Sequence, residues 1–248
     1  MARVSDTGEK QLCVIMPAFN EEAALPSVLD DWLAVLTASG LDYALHLYDD
    51  GSTDGTGALV DEMAVRHPRV VAHHQTNRGH GPTLLAAYRA LAGAEWLFQT
   101  DADGEMGAEN FQRLWSLRHD HDLVLGRRTH RHQPWMRRVL TRGARWCVNR
   151  FSSGSARDAN VPFRLMRTEV FRPAFDLIPD RAFAPNVLLV AYAGRRGLRT
   201  HEVDMPFQAR RGPPHPMPLP RLVRNAARCA VDTAVFYGRL MRKGNNPT

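Results

Sequence analysis

The chain has 248 residues, 44% apolar and 23% charged, a composition that supports a substantial core and excludes a wholly disordered chain. Its net charge of +6 divides unevenly: residues 1–122 carry 8 Lys/Arg against 19 Asp/Glu, residues 123–157 carry 9 Arg and no acid, and residues 158–248 carry 15 Lys/Arg against 7 acids. An acidic half repels phosphate, which argues against a uniformly basic nucleic-acid binder, and no apolar run approaches the ~20 residues of a membrane span.

The apolar run Leu12–Met16, stopped by Pro17, predicts a buried strand. Helical spacing follows from Ala24 to Leu36, with Asn20 as its expected cap and a stop near Gly40. Ala44–Tyr48 predicts a second strand, broken by the DDGSTDG turn, and Thr56–His67 a helix closed by Pro68. Arg69–Ala72 (strand), Pro82–Leu91 (helix), Trp96–Thr100 (strand), Phe111–Leu117 (helix) and Leu123–Leu125 (strand) continue the alternation. Strand and helix alternating in this way predict a mostly parallel α/β sheet covered by helices on both faces. Pro213–Pro220 is Pro-rich and reads as a connector to an amphipathic helix over Arg221–Arg242. The expected division is therefore an α/β domain over 1–212 and a connector with helix over 213–248.

Three polar clusters follow apolar strands directly: Pro17–Glu22, Asp49–Asp54 and Asp101–Glu105. In open α/β sheets ligands sit beyond the carboxyl ends of the strands, so parallel strands would gather all three on one rim. Asp101 and Asp103 leave their strand at alternate positions and point the same way, with Glu105 continuing the alternation unless Gly104 breaks it. Oxygen ligands of this kind suit Mg²⁺ or Mn²⁺, with a substrate phosphate completing the shell. In the DDGSTDG turn, Ser52 or Asp54 serves as a helix cap, which leaves Asp49 and Asp50 to accept hydrogen bonds from a nucleobase or ribose. Asn77–Pro82 is Gly-rich and opens a helix, but lacks the GxxxxGK[ST] of a P-loop; GxGxxG is absent as well. The histidine pairs His73/His74, His119/His121 and His130/His132 have no spacing to a third ligand and read as surface residues rather than zinc ligands.

Taken together, VIMPAFNEE (14–22), YDDGSTDGT (48–56), NRGHGPTLLAAYRAL (77–91), FQTDADGE (98–105), LVLGRR (123–128), DANVPFRLMRTEV (158–170) and GLRTHEVDMPFQARRG (197–212) resemble the family 2 glycosyltransferases of GT-A fold, nearest to the dolichol-phosphate mannosyltransferase and polyprenyl-phosphate glycosyltransferase type. The resemblance implies a metal-dependent, inverting sugar transfer from a nucleoside-diphosphate sugar, UDP- or GDP-linked. It implies that Pro17, Phe19 and Glu21 line the nucleotide, that Asp50 with Asp49 reads the base, and that Asp101, Ala102 and Asp103 meet the donor diphosphate and its metal. Glu105 stands where such enzymes often carry Gln. Arg128 is implied at phosphate or acceptor and Arg210 at the diphosphate, and Asp158 is the candidate base for a hydroxyl acceptor. Developing negative charge on the departing diphosphate is what a divalent cation and forked guanidinium donors stabilise.

The chain departs from that pattern on the acceptor side. Phe183-Ala-Pro-Asn186 has no acid where lipid-phosphate enzymes usually carry Glu, Arg210–His215 lacks the family's Ser and Lys, Phe19 replaces Tyr, and C-terminal membrane segments are missing. These departures, with an Ala-rich apolar face on the last helix, lead to the expectation of a small soluble hydroxyl acceptor. Transfer to a polyprenyl or dolichyl phosphate at a membrane surface is the alternative, and a non-catalytic nucleotide- or nucleic-acid-binding protein the alternative of another class. Scattered Cys13, Cys147 and Cys229 without CxxC predict a cytoplasmic setting. The last helix is left open to membrane contact, to a homodimer or to packing on the domain, with Arg221, Arg224, Asn225, Arg228, Asp232, Arg239 and Arg242 on its polar arc and Leu222, Val223, Ala226, Ala227, Ala230, Ala234, Tyr237, Leu240 and Met241 opposite.

Overall fold

β1 (Leu12–Ala18) and β2 (Tyr43–Asp49) are buried along their whole length, as apolar strands covered on both faces must be. In the computed structural model, which describes residues 10–129, 158–206, 208–212 and 219–244, they lie at the heart of a seven-stranded sheet. The other strands are β3 (Val70–His74), β4 (Trp96–Gln99), β5 (Leu123–Thr129), β6 (Arg164–Arg167) and β7 (Thr200–Pro206), in the order β3-β2-β1-β4-β6-β5-β7. β3, β2, β1 and β4 run parallel, as expected. β6 is antiparallel to both β4 and β5, while β5 and β7 are parallel, so the sheet is mixed on that side.

The topology positions the site. β1, β2, β4, β5 and β7 share one direction, so their carboxyl ends share one rim, and antiparallel β6 begins there, with Arg164 beside Gln99. The three polar clusters therefore do meet on one edge of the sheet. The segment after β7 emerges at the same rim and crosses the end of β4, with Gln208 N–H donating to Glu105 O and Arg211 N–H to Asp103 O, both at 2.9 Å.

Helices cover both faces. α1 (Leu25–Ala38), which contacts α2 (Thr56–Arg66), turns Trp32 onto Phe98 of β4, centroids 5.3 Å apart, and Phe111 and Phe163 complete the aromatic cluster. Phe111 opens α4 (Phe111–Trp115). α3 (His80–Ala90), α5 (Thr168–Leu177) and α6 (Pro185–Arg196) contact one another. The first cap differs from expectation. Asn20 adopts φ 55° and its side chain accepts from Thr53 N–H at 2.8 Å, while α1 starts later, after Ala24. Asp54 does satisfy the first amide of α2, accepting from Thr56 N–H at 3.0 Å, whereas Ser52 Oγ accepts from Asn20 N–H.

α7 (Leu219–Gly244) is helical over and beyond the expected span, but its buried face is not the one the apolar count selects. Phe236, Tyr237 and Leu240 are buried against the domain together with Asn225 and Asp232 from the polar arc, while Ala227, Ala230, Ala234 and Met241 face outward. The reason lies in the backbone between α5 and α6. Asp232 accepts from Phe183 N–H at 2.8 Å, Arg239 donates to Leu177 O at 3.2 Å, and Arg228 donates to Arg181 O. Loop amides and carbonyls need polar partners, and these side chains supply them. No helix among the described residues is long and apolar enough to cross a membrane. Arg131, Arg137, Arg138, Arg142, His130, His132, Cys147 and residues 213–218 of the connector lie outside the described residues.

Candidate active site

The first two loops of the rim are bonded to each other. Glu21 N–H donates to Thr56 Oγ1 at 2.8 Å, Glu22 N–H to Asp54 Oδ2 at 3.3 Å, and Gly55 N–H to Glu22 Oε2 at 2.9 Å. Together with the Asn20–Thr53 pair they make PAFNEE and DDGSTDG one rigid shelf. Ser52, Thr53, Asp54 and Thr56 are explained by this, and so are Asn20 and Glu22. Phe19 stands exposed at the edge of the shelf, Glu21 is buried, and Pro17 is buried at the end of β1.

The nucleoside role expected of Asp49 and Asp50 meets a different arrangement. Both carboxylates are buried and turned onto protein donors. Asp50 accepts from Gln75 Nε2 at 2.6 Å and from Arg78 N–H and Gly79 N–H at 2.9 Å, fixing the loop that opens α3. Gly51, at φ 71°, permits this, because a Cβ there would stand 2.7 Å from Asn77 N. Asp49 accepts from Ser52 N–H at 2.9 Å and faces His74, whose other nitrogen is 2.9 Å from Asp61. Burial opposes the His74 charge, but the bonds to Asp61 and Asp49 outweigh it and raise its pKa.

At the end of β4, Asp101, Asp103 and Glu105 surround the chain turn at Gly104, where φ of 70° breaks the strand alternation. Asp103 caps its own turn, accepting from Glu105 N–H at 3.0 Å. Burial, then Asp103, Glu105 and Glu21, push the Asp101 carboxyl well above the usual carboxylate range, with Arg128 acting in the opposite direction. A carboxyl that resists ionising beside other acids is short of nearby positive charge, which fits a cation site. Among the described residues no three His, Cys, Asp or Glu side chains are gathered closely enough to hold a metal by themselves. The expected set of Asp101, Asp103 and Glu105 is therefore not assembled as three ligands, and a cation resting on Asp101 and Asp103 would need a substrate phosphate to complete its shell. Ala102 is buried between them.

Arg210 stands on this cluster. Its guanidinium donates to Asp103 Oδ2 at 2.9 Å and to Glu21, joining the first and third clusters of the rim. Arg128 forms a two-pronged pair with Asp158, at 2.8 and 3.1 Å, and the pair outweighs the burial that opposes its charge. Asp158, the candidate base, therefore has both oxygens on a guanidinium. Two functional candidates escaped the sequence reading. His80, half-exposed in the first turn of α3, brings Nε2 to 3.9 Å from Asp101 Oδ1, and its place at the start of a rim helix was the available signal. Arg164 is fully buried and donates to the carbonyls of Val161, Ala159 and Asn186. The last of these begins where the lipid-phosphate pattern carries Glu; here Asn186 is buried in α6, so no carboxylate replaces the missing acid at that position.

The profile of Glycosyl transferase family 2 matches residues 13–183. The polyprenol monophosphomannose synthase of Mycolicibacterium smegmatis is 33% identical over 79% of this chain and 77% of its own length. The dolichyl-phosphate beta-glucosyltransferase of Dictyostelium discoideum is 27% identical over 77% of this chain and 64% of its own. In structure, the glucosyl-3-phosphoglycerate synthase of Mycobacterium tuberculosis, solved with Mn²⁺, UDP-glucose and phosphoglyceric acid, superposes with a TM-score of 0.65 at 19% identity, over 92% of this chain and 80% of that one, a likeness of GT-A fold. The chain belongs to glycosyl transferase family 2 and is a glycosyltransferase.

Proposed function

We propose that the protein transfers a sugar from a nucleoside-diphosphate sugar, UDP- or GDP-linked, to a polyprenyl phosphate at a membrane surface, with Mg²⁺ or Mn²⁺ held at Asp101 and Asp103. The observation that carries this is the carboxylate cluster Asp101, Asp103, Glu105 and Glu21 closed by Arg210 at the carboxyl ends of the strands. The acceptor follows the relatives named for polyprenyl and dolichyl phosphates, in place of the small soluble hydroxyl acceptor expected from the sequence departures. A bound divalent cation would neutralise charge on the diphosphate as it leaves.

The chain's own groups divide the remaining work. Arg210 neutralises Asp103 and Glu21, and with Asp103 holding a cation it would serve as a forked donor to the diphosphate. An acceptor phosphate is already anionic, so its oxygen can attack the sugar C1 as the C1–O bond to the diphosphate breaks, with inversion and without a proton to remove. Asp158 then orients Arg128 toward that anion; only a hydroxyl acceptor would require Asp158 as a base. Phe19, exposed on the shelf, offers a face to the nucleoside. On α7, Val231, Val235 and Met241 are exposed beside Arg224, Arg228 and Arg242, and Asp232, its sole acid, faces inward. That face fits an anionic bilayer.

Thermal-shift measurements with UDP-, GDP- and dTDP-sugars and Mn²⁺ identify the donor, and radiolabelled donor then tests the acceptor. With polyprenyl phosphate the label is expected in the organic phase, and it should disappear with EDTA and in a folded Asp103→Ala variant. Label transferred solely to soluble hydroxyl compounds overturns the lipid acceptor, and full turnover in EDTA overturns the metal.

A further inference from the structure

Beneath the carboxylate cluster lies a fully buried polar network that the proposed reaction does not use. β4 alternates. Phe98 enters the aromatic cluster beneath α1, while Gln99 points to the opposite face, toward α3 and α6. There Gln99 Oε1 accepts from Asn186 Nδ2 at 2.8 Å and lies 3.0 Å from the Tyr88 hydroxyl, which is also 2.8 Å from Asn186 Oδ1. Gln99 and Tyr88 have no exposed surface and Asn186 has 2%. Arg164, opposite Gln99 in the β4–β6 ladder, donates to Asn186 O at 3.1 Å and closes the group from below.

This arrangement permits one orientation of the Gln99 amide. Turning both amides over would aim Gln99 Oε1 at the Asp101 carboxylate oxygen, acceptor against acceptor, and turning Gln99 alone would set its NH₂ against that of Asn186. Gln99 Nε2 is therefore directed to the rim, 3.5 Å from Asp101 Oδ1, the outer limit of a hydrogen bond in the absence of a ligand. Asp101 is two residues further along the same chain.

We propose that Gln99 is a positioning residue: locked by Tyr88 and Asn186, it holds the Asp101 carboxylate in the orientation that receives the divalent cation. This rests on the reading of Asp101 as a metal ligand. Outer partners that orient a ligating carboxylate change metal affinity about 10–100-fold when removed. Gln99 also fills its site by shape, so the near-isosteric Gln99→Met deletes the donor while keeping the bulk.

The test is Mn²⁺ titration followed by the electron paramagnetic resonance of free Mn²⁺, in the presence of UDP or GDP, whichever the wild-type chain binds. Gln99→Met is expected to weaken Mn²⁺ binding about tenfold. Affinity for the same nucleotide without metal should not change, and neither should the melting temperature by more than a few degrees. Tyr88→Phe, which removes one of the two restraints and no bulk, is expected to weaken Mn²⁺ in the same direction by a smaller factor, and decides the matter if Gln99→Met does not fold. Wild-type chain that binds no Mn²⁺ overturns the metal reading and this one with it. Wild-type binding with undiminished Mn²⁺ affinity in the variants, or an equal loss of metal-free nucleotide binding, overturns the positioning role alone.

Discussion

His46 is fully buried on β2, with Nδ1 3.0 Å from His73 Nε2 and the two rings stacked. Burial, then the neighbouring His73, lower its pKa to about 3, so it is neutral in the folded protein at any ordinary pH. An unfolded His46 takes up a proton near pH 6.5, so the unfolded chain binds more protons between that value and about 3. Stability should therefore fall as pH drops through this window, by about 2–3 kcal/mol between pH 7 and 4. Melting temperature should fall as pH drops through this window in the wild type and fall less steeply in His46→Gln; parallel slopes would refute the assignment. The same residue scale shows what was legible at the site. Asp101 and Asp103 announce themselves by type and by position after WLF, but the inward turn of Asp49 and Asp50 does not. Their donors come from residues 52 and 74–79, and local sequence cannot say that those loops fold back onto them.

Among the elements, α7 is the clearest case of periodicity meeting tertiary demand. Its helical state follows from spacing, but its orientation is set by the polar backbone of residues 177–183, which takes Asp232, Arg228 and Arg239. Phe236 is its fully buried anchor. Phe236→Ala should cost about 3–4 kcal/mol in denaturant unfolding, the usual cost of emptying an aromatic site. A loss below 1 kcal/mol would mean that α7 does not pack as part of the core. Asn20 follows the same logic at smaller scale. A residue suited to cap α1 is instead used to bond the neighbouring loop, because the Asn20 side chain meets Thr53 and the helix begins only at Leu25.

At the scale of the whole molecule, the outward face of α7, with Val231, Val235 and Met241 among arginines, leads to a further expectation. The protein should sediment with vesicles containing anionic lipid, weakly with neutral ones, and Val231→Asp with Met241→Asp should leave it in the supernatant. Equal behaviour on both vesicles would remove the membrane contact. The division of charge takes on a shape at this scale too. Acids at the ends of β1 and β4 face Arg210, delivered by the segment after β7, and Arg128 on β5 pairs with Asp158 before β6. By itself the sequence determined the alternating α/β architecture, the family and the chemical types at the strand ends, because hydrophobic period and turn residues are local properties. Only the tertiary structure decided that β6 runs antiparallel, that Arg210 closes onto Asp103 and Glu21 from more than a hundred residues away, and that Tyr88 and Asn186 orient Gln99. Those contacts join segments far apart in the chain, and their partners are chosen by packing and by the need to satisfy buried polar groups rather than by neighbouring residues.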